Sequence, residues 1–114
     1  DRLSDSEYLV GEYYYRNKWW PGAVDRFETI AQSDPEYRRR EAVYFYLADA
    51  YFNNGDFQEA LQVSQQLLQE FPQSEFLADT QLSIVNIENR VAEQAGSDSE
   101  AGASSDEVET LSPR

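Results

Sequence analysis

The stretch YYRNKWWPGAVDRFETIAQSDP, residues 14–35, is followed 37 positions later by YFNNGDFQEALQVSQQLLQEFP, residues 51–72. That offset lays Tyr14 on Tyr51, Asn17 on Asn54, Trp20 on Phe57, Ala23 on Ala60 and Pro35 on Pro72. Five coincidences at one spacing mark an internal repeat. Within the first copy, Ala23, Val24, Phe27, Ile30 and Ala31 follow the i, i+3, i+4, i+7 rule of a helix with one buried face. Residues 38–53 repeat it with Ala42, Leu47, Ala48 and Tyr51, and residues 57–71 with Ala60, Leu61, Leu67, Leu68 and Phe71. No Asn-Gly or Asp-Gly turn joins two alternating segments, so strands are not expected. The breakers Lys18–Pro21, Asp34-Pro35, Asn53–Asp56 and Phe71-Pro72 cut the chain into five helices. The fold class is therefore all-α.

The repeating unit has the tetratricopeptide pattern: a small residue and then an aromatic in a first helix, an Ala in a second, and a closing Pro. Gly11, Tyr14, Ala23, Phe27 and Pro35 fill those places in copy one. Ala48, Tyr51, Ala60 and Pro72 fill them in copy two, where Ser64 stands in for the large apolar residue. Small side chains let neighbouring helices approach, the ring fills the adjoining space, and Pro stops the hairpin. The period exceeds the usual 34 by three residues, which are expected in the inter-repeat loop near Pro35–Arg40. The resulting division is repeat one at residues 5–36, repeat two at 38–72, a capping helix or half repeat at 74–95, and an acidic, disordered tail at 96–114. In the fifth helix Leu77, Ile84, Ile87 and Val91 form the stripe that closes the second hairpin, while Leu82 and Val85 lie on another stripe suited to a partner. An array of about two and a half hairpins is short, so marginal stability in isolation and docking to something larger are expected.

Composition narrows the function. The chain of 114 residues contains neither Cys nor His, which removes disulfides, thiolates, imidazole acid–base chemistry and the common zinc ligands. No cofactor or metal is expected. A net charge of −13 opposes binding to nucleic acid phosphates. Residues 1–40 carry seven basic and eight acidic side chains, whereas residues 41–89 carry eight acidic ones and no Lys or Arg, a field that favours a basic protein surface. No window is apolar enough to span a membrane, and the opening DRLSDSE has no leader character. The absence of an initial Met suits a processed product. From Gly96 onward Ser, Gly and acids dominate, and a partner could order that tail through Val108 and Leu111.

The run VGEYYYRNKWWPGAVDRFETIAQSDPEYRRREAVYFYLADAYF, with EALQVSQQLLQEFPQSEFLAD after it, resembles the tetratricopeptide-like BamD (YfiO) family of outer-membrane assembly lipoproteins over about residues 6–90. The pieces that carry the likeness are YYYRNKWWPGAVDRFE and EAVYFYLADAYF. Family members have about five repeats and a lipidated Cys at the mature N-terminus; this chain resembles the C-terminal repeats of such a protein or a shortened relative. The resemblance implies a non-catalytic scaffold of an envelope complex on the periplasmic side of a bacterial outer membrane. The alternative in the same class is an accessory subunit docking onto another integral membrane complex.

Several residues are candidates for a role. In tetratricopeptide arrays the first helix of each hairpin lines a groove, which selects Tyr8, Glu12, Tyr15 and Arg16 in copy one, and Phe45, Asp49, Phe52 and Asn53 in copy two. Aromatics interleaved with polar groups suit an adaptable peptide groove; the alternative is that several of these rings, Tyr15 and Phe52 among them, pack against the next helix and line nothing. Trp20 aligns with Phe57 and is expected in the core. Trp19 aligns with Asp56, which is placed to cap the next helix with its carboxylate. Trp19 is read either as a lid over Arg16 or the end of the first helix, or as an interface anchor. Arg38, Arg39 and Arg40 are expected to be solvated and paired with Glu36 or Glu41, the alternative being that a C-terminal carboxylate or an acidic partner segment uses them. An enzyme would need a carboxylate pair such as Glu12 with Asp49, which solvated helix faces explain without chemistry.

Overall fold

The computed structural model describes the backbone of residues 2–111 and the side chains of residues 2–96. Among the described residues there are five helices: α1 Arg2–Arg16, α2 Trp20–Ser33, α3 Arg40–Asn53, α4 Phe57–Glu70 and α5 Leu77–Leu111. α1 packs on α2, α2 on α3, α3 on α4 and α4 on α5, with a smaller contact between α1 and α3. This is a tetratricopeptide-like array of two helical hairpins capped by α5. The tail expected at residues 96–114 lies, from residue 97 on, outside the described side chains.

The period of 37 holds at the boundaries inside the array, whereas α1 starts 38 residues before α3 and α5 runs on to Leu111. α2 and α4 begin and end 37 residues apart, α1 and α3 end 37 apart, and α3 and α5 begin 37 apart. The turns repeat as well. Trp19 (φ −91°, ψ 83°) and Asp56 (φ −90°, ψ 69°) precede the second helices in the same conformation. Asp34 (φ −135°, ψ 75°) and Phe71 (φ −131°, ψ 68°) close those helices, each held out of helical space by the proline that follows. Segments of equal length, residues 34–39 and 71–76, follow α2 and α4. There the amides of Tyr37 and Ser74 bond to the carbonyls of Asp34 and Phe71 at 3.1 and 3.0 Å.

Asp56 does not cap α4 as its place in the sequence suggests. Its carboxylate accepts from the Asn54 side-chain amide at 2.9 Å and makes no bond to the first turn. Neither second helix therefore has a side-chain cap, and Trp19 forfeits nothing that its counterpart enjoys.

One turn position does differ. Gly55 has φ 89° and its counterpart Lys18 has φ 60°, a left-handed conformation that is cheap for glycine and costs other L-residues about 1–2 kcal/mol. Lys18→Gly is expected to stabilise the protein by several tenths to about 1 kcal/mol, part of the relief being offset by glycine's larger unfolded-state entropy. A lower urea midpoint for the variant would contradict this.

The core follows the repeat. Ala23 and Ala60 are buried at the start of the second helices, and Phe27, Ile30, Val43, Tyr44, Leu47 and Leu67 fill the space between layers. Gly11 is required where it stands: a Cβ there would lie 2.9 Å from the Phe27 ring. On α5, Ile87 is buried and Leu77, Ile84 and Val91 are partly buried, whereas Leu82 and Val85 are exposed. Leu82 and Val85 occupy the repeat positions of Phe45 and Ala48.

Candidate functional site

The first helices of the hairpins divide the eight groove candidates into distinct environments. Tyr8 belongs to the core: it is buried edge-on against Phe27 at 5.8 Å and beside Tyr37 and Tyr46, and presents no surface for a ligand. The tetratricopeptide register places it on the inner face of α1, and the bulk of α3 then closes over it. Glu12 is partly buried, and Arg16 and Asn53 are exposed at the ends of their helices. The Asn53 amide turns back to the Asp49 carbonyl at 2.8 Å. Tyr15 and Asp49 meet across the α1–α3 contact, the phenol donating to Asp49 Oδ2 at 2.5 Å.

Phe45, Asp49 and Phe52 converge on a cleft of about 150 Å³ between α3, α4 and α5. Phe45 stacks on Phe76 at 4.6 Å, and Phe52 leans on Phe57 at 5.2 Å with the Arg90 guanidinium over both rings. The rest of the lining was not anticipated. α4 contributes Ser64 and Leu67, and α5 contributes Thr80, Ser83, Asn86 and Ile87. Ser64 and Thr80, 1% and 2% exposed, carry buried hydroxyls without a hydrogen-bond partner in the protein. Such groups cost about 1–3 kcal/mol each when unsatisfied. One signal for this cleft stands in the sequence: Ser64 occupies the place of Phe27.

Trp20 is partly buried, edge-on to Tyr15 at 5.6 Å, as its alignment with Phe57 suggests. Trp19 folds back edge-on to Tyr14 at 4.5 Å, and only glycine at position 22 leaves room for the pair, since a Cβ there would lie 2.6 Å from Trp19 and 2.7 Å from Tyr14. The indole is thus a lid on the end of α1 while remaining 53% exposed. Trp19→Ala should lower stability by about 1 kcal/mol, the scale of an aromatic pair together with its lost contact area; an unchanged urea midpoint would show that the lid contributes nothing.

The arginine run is not paired with Glu36 or Glu41. Arg38 reaches Asp5 at 3.2 Å, Arg39 lies over the Tyr8 ring at 5.1 Å, and Arg40 lies against α2 and α4. Arg40 Nη1 donates to the Ala31 carbonyl at 2.9 Å, Nε donates to Glu70 at 3.1 Å, and Nη2 donates to the Tyr44 hydroxyl. A cation that sits poorly at the start of α3 is well placed at the C-terminal carbonyls of α2. Tertiary packing brings these partners from helices on either side, so the nearest acids in sequence lose.

Four phenols join helices or loops by donating to carboxylates: Tyr15 to Asp49, Tyr37 to Asp5 at 2.7 Å, Tyr44 to Glu70 at 2.7 Å, and Tyr51 to Glu28. Burial first, and then the adjacent carboxylate, raises all four pKa values above the usual 10, to about 12 for Tyr37 and Tyr44. Their neutral forms are thus favoured in the folded chain. Above pH 10 the unfolded chain loses phenolic protons that the folded chain keeps, so stability should be complete below pH 10 and fall as pH climbs through about 12. Phenolate absorbance and circular dichroism followed together should show helix loss coupled to late phenol ionisation. Phenols titrating alike in native and urea-unfolded protein would rule this out. At the acid end, the Tyr37 hydrogen bond holds the Asp5 carboxyl below its usual range.

Residues 42–74 match the family model described as Tetratricopeptide repeat, a span that runs from α3 through α4 to the turn before α5. Hairpins of this kind are typically protein-interaction modules. No curated protein matches the chain. Among the described residues, no helix is long and apolar enough to cross a membrane.

Proposed function

We propose that this protein is a non-catalytic scaffold that holds a segment of another polypeptide across α3 and α5. The observation that carries this reading is the cleft itself: Phe45 and Phe52 supply flat apolar area, and Asp49, Ser83 and Asn86 supply polar groups beside it. A volume of about 150 Å³ is below the roughly 300–1,000 Å³ of small-molecule sites and suits a single side chain of a longer ligand. Asp49, the acid that a catalytic pair would need, is engaged by the Tyr15 hydroxyl, which favours a structural role. The eight acids of residues 41–89, without a Lys or Arg among them, favour a segment with basic flanks.

The particular setting we propose is a bacterial envelope complex, with the chain acting on the periplasmic side of the outer membrane as in the BamD family. The sequence resemblance over residues 6–90 and the tetratricopeptide repeat support this. Arg16, Glu12 and Asn53 then extend the contact along the first helices, and the exposed face of Trp19 is a further anchor. Photo-crosslinkers placed at Asn53, Asn86 and Trp19 in native membranes, with identification of the attached chain, test the reading. A barrel-assembly protein on the first two sites is the expected result. An unrelated integral membrane complex would move the chain to the accessory-subunit class, and the absence of any polypeptide adduct would overturn the scaffold reading.

A further inference from the structure

The cleft in repeat two has a filled counterpart in repeat one. Subtracting 37 from its lining residues turns Ser64 into Phe27, Ser83 into Tyr46, Thr80 into Val43 and Ala48 into Gly11. In repeat one the Phe27 and Tyr46 rings stack at 5.8 Å and 22°, and Tyr46 also meets Tyr8, Tyr15 and Phe45 at 6.5, 4.9 and 5.7 Å. Two rings therefore occupy the space that in repeat two is bordered by two serines. Phe27's ring lies where a Cβ on Gly11 would intrude, and repeat two has that Cβ, on Ala48. The place of Tyr46 is the one left open to an incoming ring.

The border of that place is also polar. Val43 becomes Thr80 and Phe27 becomes Ser64, and both hydroxyls are buried without a partner. An apolar occupant would leave them unsatisfied. A cavity of about 150 Å³ accepts one benzene-sized ring.

We infer that this cleft is a subsite for one tyrosine side chain, whose ring takes the place that Tyr46 takes in repeat one and whose hydroxyl bonds with Ser64 or Thr80. That the ring is delivered by a bound polypeptide rests on the scaffold reading above. The subsite itself can be tested without that partner, on the full chain, with p-cresol, toluene and n-butylammonium as analogues of the Tyr, Phe and Lys side chains.

Amide chemical shifts should show p-cresol binding with a dissociation constant on the order of millimolar, affecting Ala48, Leu67, Thr80 and Ile87. Toluene should bind about three- to tenfold more weakly, the worth of one neutral hydrogen bond. Butylammonium should leave those amides unmoved. Ser83→Tyr places a ring in the cleft from α5 and should abolish p-cresol binding while raising the melting temperature. The double substitution Ser64→Ala with Thr80→Val keeps the shape, removes both hydroxyls, and should erase the preference for p-cresol even if Ser83→Tyr does not fold. Toluene binding as tightly as p-cresol to the unaltered protein, tighter binding of butylammonium, or no perturbation by any probe would overturn the inference. If p-cresol fails while crosslinks at Asn53 and Asn86 still capture a polypeptide, the subsite falls and the scaffold stands; if p-cresol binds and no polypeptide is captured, the scaffold falls.

Discussion

Phe27→Ala is expected to lower the free energy of unfolding by about 3–5 kcal/mol, the largest single effect in this chain. The Phe27 ring has no exposure at all, lies directly over Gly11, and meets Tyr8 and Tyr46 at 5.8 Å each. It is the wedge between α1, α2 and α3. The neighbours cannot collapse into the void, because Gly11 has no side chain to move and Tyr8 and Tyr46 are held by other rings. Small domains possess only about 5–15 kcal/mol in total, so the variant should lose most of its urea resistance. A loss below about 1 kcal/mol in equilibrium urea unfolding would mean that repeat one is not packed around this ring.

Arg40→Ala is expected to cost about 2–3 kcal/mol. Its side chain is 12% exposed and serves three helices at once, through the Ala31 carbonyl at the end of α2, Tyr44 on α3, and Glu70 at the end of α4. Hydrogen bonds made by a charged group are worth about 1.5–3 kcal/mol, and truncation leaves the Tyr44 hydroxyl and the α2 carbonyl short of a donor. The control is its neighbour. Arg38 makes one ion pair with Asp5 between largely exposed groups and lies over the Tyr37 ring at 5.8 Å, contacts that solvent screens. Arg38→Ala should therefore be nearly silent, and high salt should weaken the Arg38 contribution more than that of Arg40. Equal losses for the two variants would show that Arg40 is no more than a surface charge.

The two substitutions separate what was legible in the chain from what was not. Phe27 could be identified from the sequence, since it sits at the right distance from Ala23, Ile30 and Pro35 in a pattern that recurs 37 residues later. Helical periodicity is local information, and proline and glycine punctuate it locally. The same locality misled the reading of Arg40 and its neighbours, whose nearest acids in sequence, Glu36 and Glu41, are not the acids they meet. Asp56 failed for a related reason: its place in the turn suited a cap, and Asn54 took the carboxylate instead.

The candidate site was half visible. Phe45, Asp49 and Phe52 lie on one face of one helix, so their spacing reveals them. Ser83, Asn86 and Thr80 come from a different helix and look, in sequence, like ordinary polar positions on its surface. Tyr8 was misplaced because a single register assigns a helix face without saying how far the next helix closes over it.

By itself, then, the order of residues determined the helices, the breakers that separate them and the 37-residue stacking unit, because each follows from apolar spacing and punctuation within a few turns of chain. It did not set the end of α5, which runs to Leu111 rather than stopping near residue 95. Tertiary structure alone decided which carboxylates Tyr15, Tyr37, Tyr44, Tyr51 and Arg40 meet, across 23 to 34 residues of sequence. It also decided that two serines on separate helices face a common space. Partner choice depends on the rotation and offset of packed helices, and those are set by the summed fit of all the side chains between them.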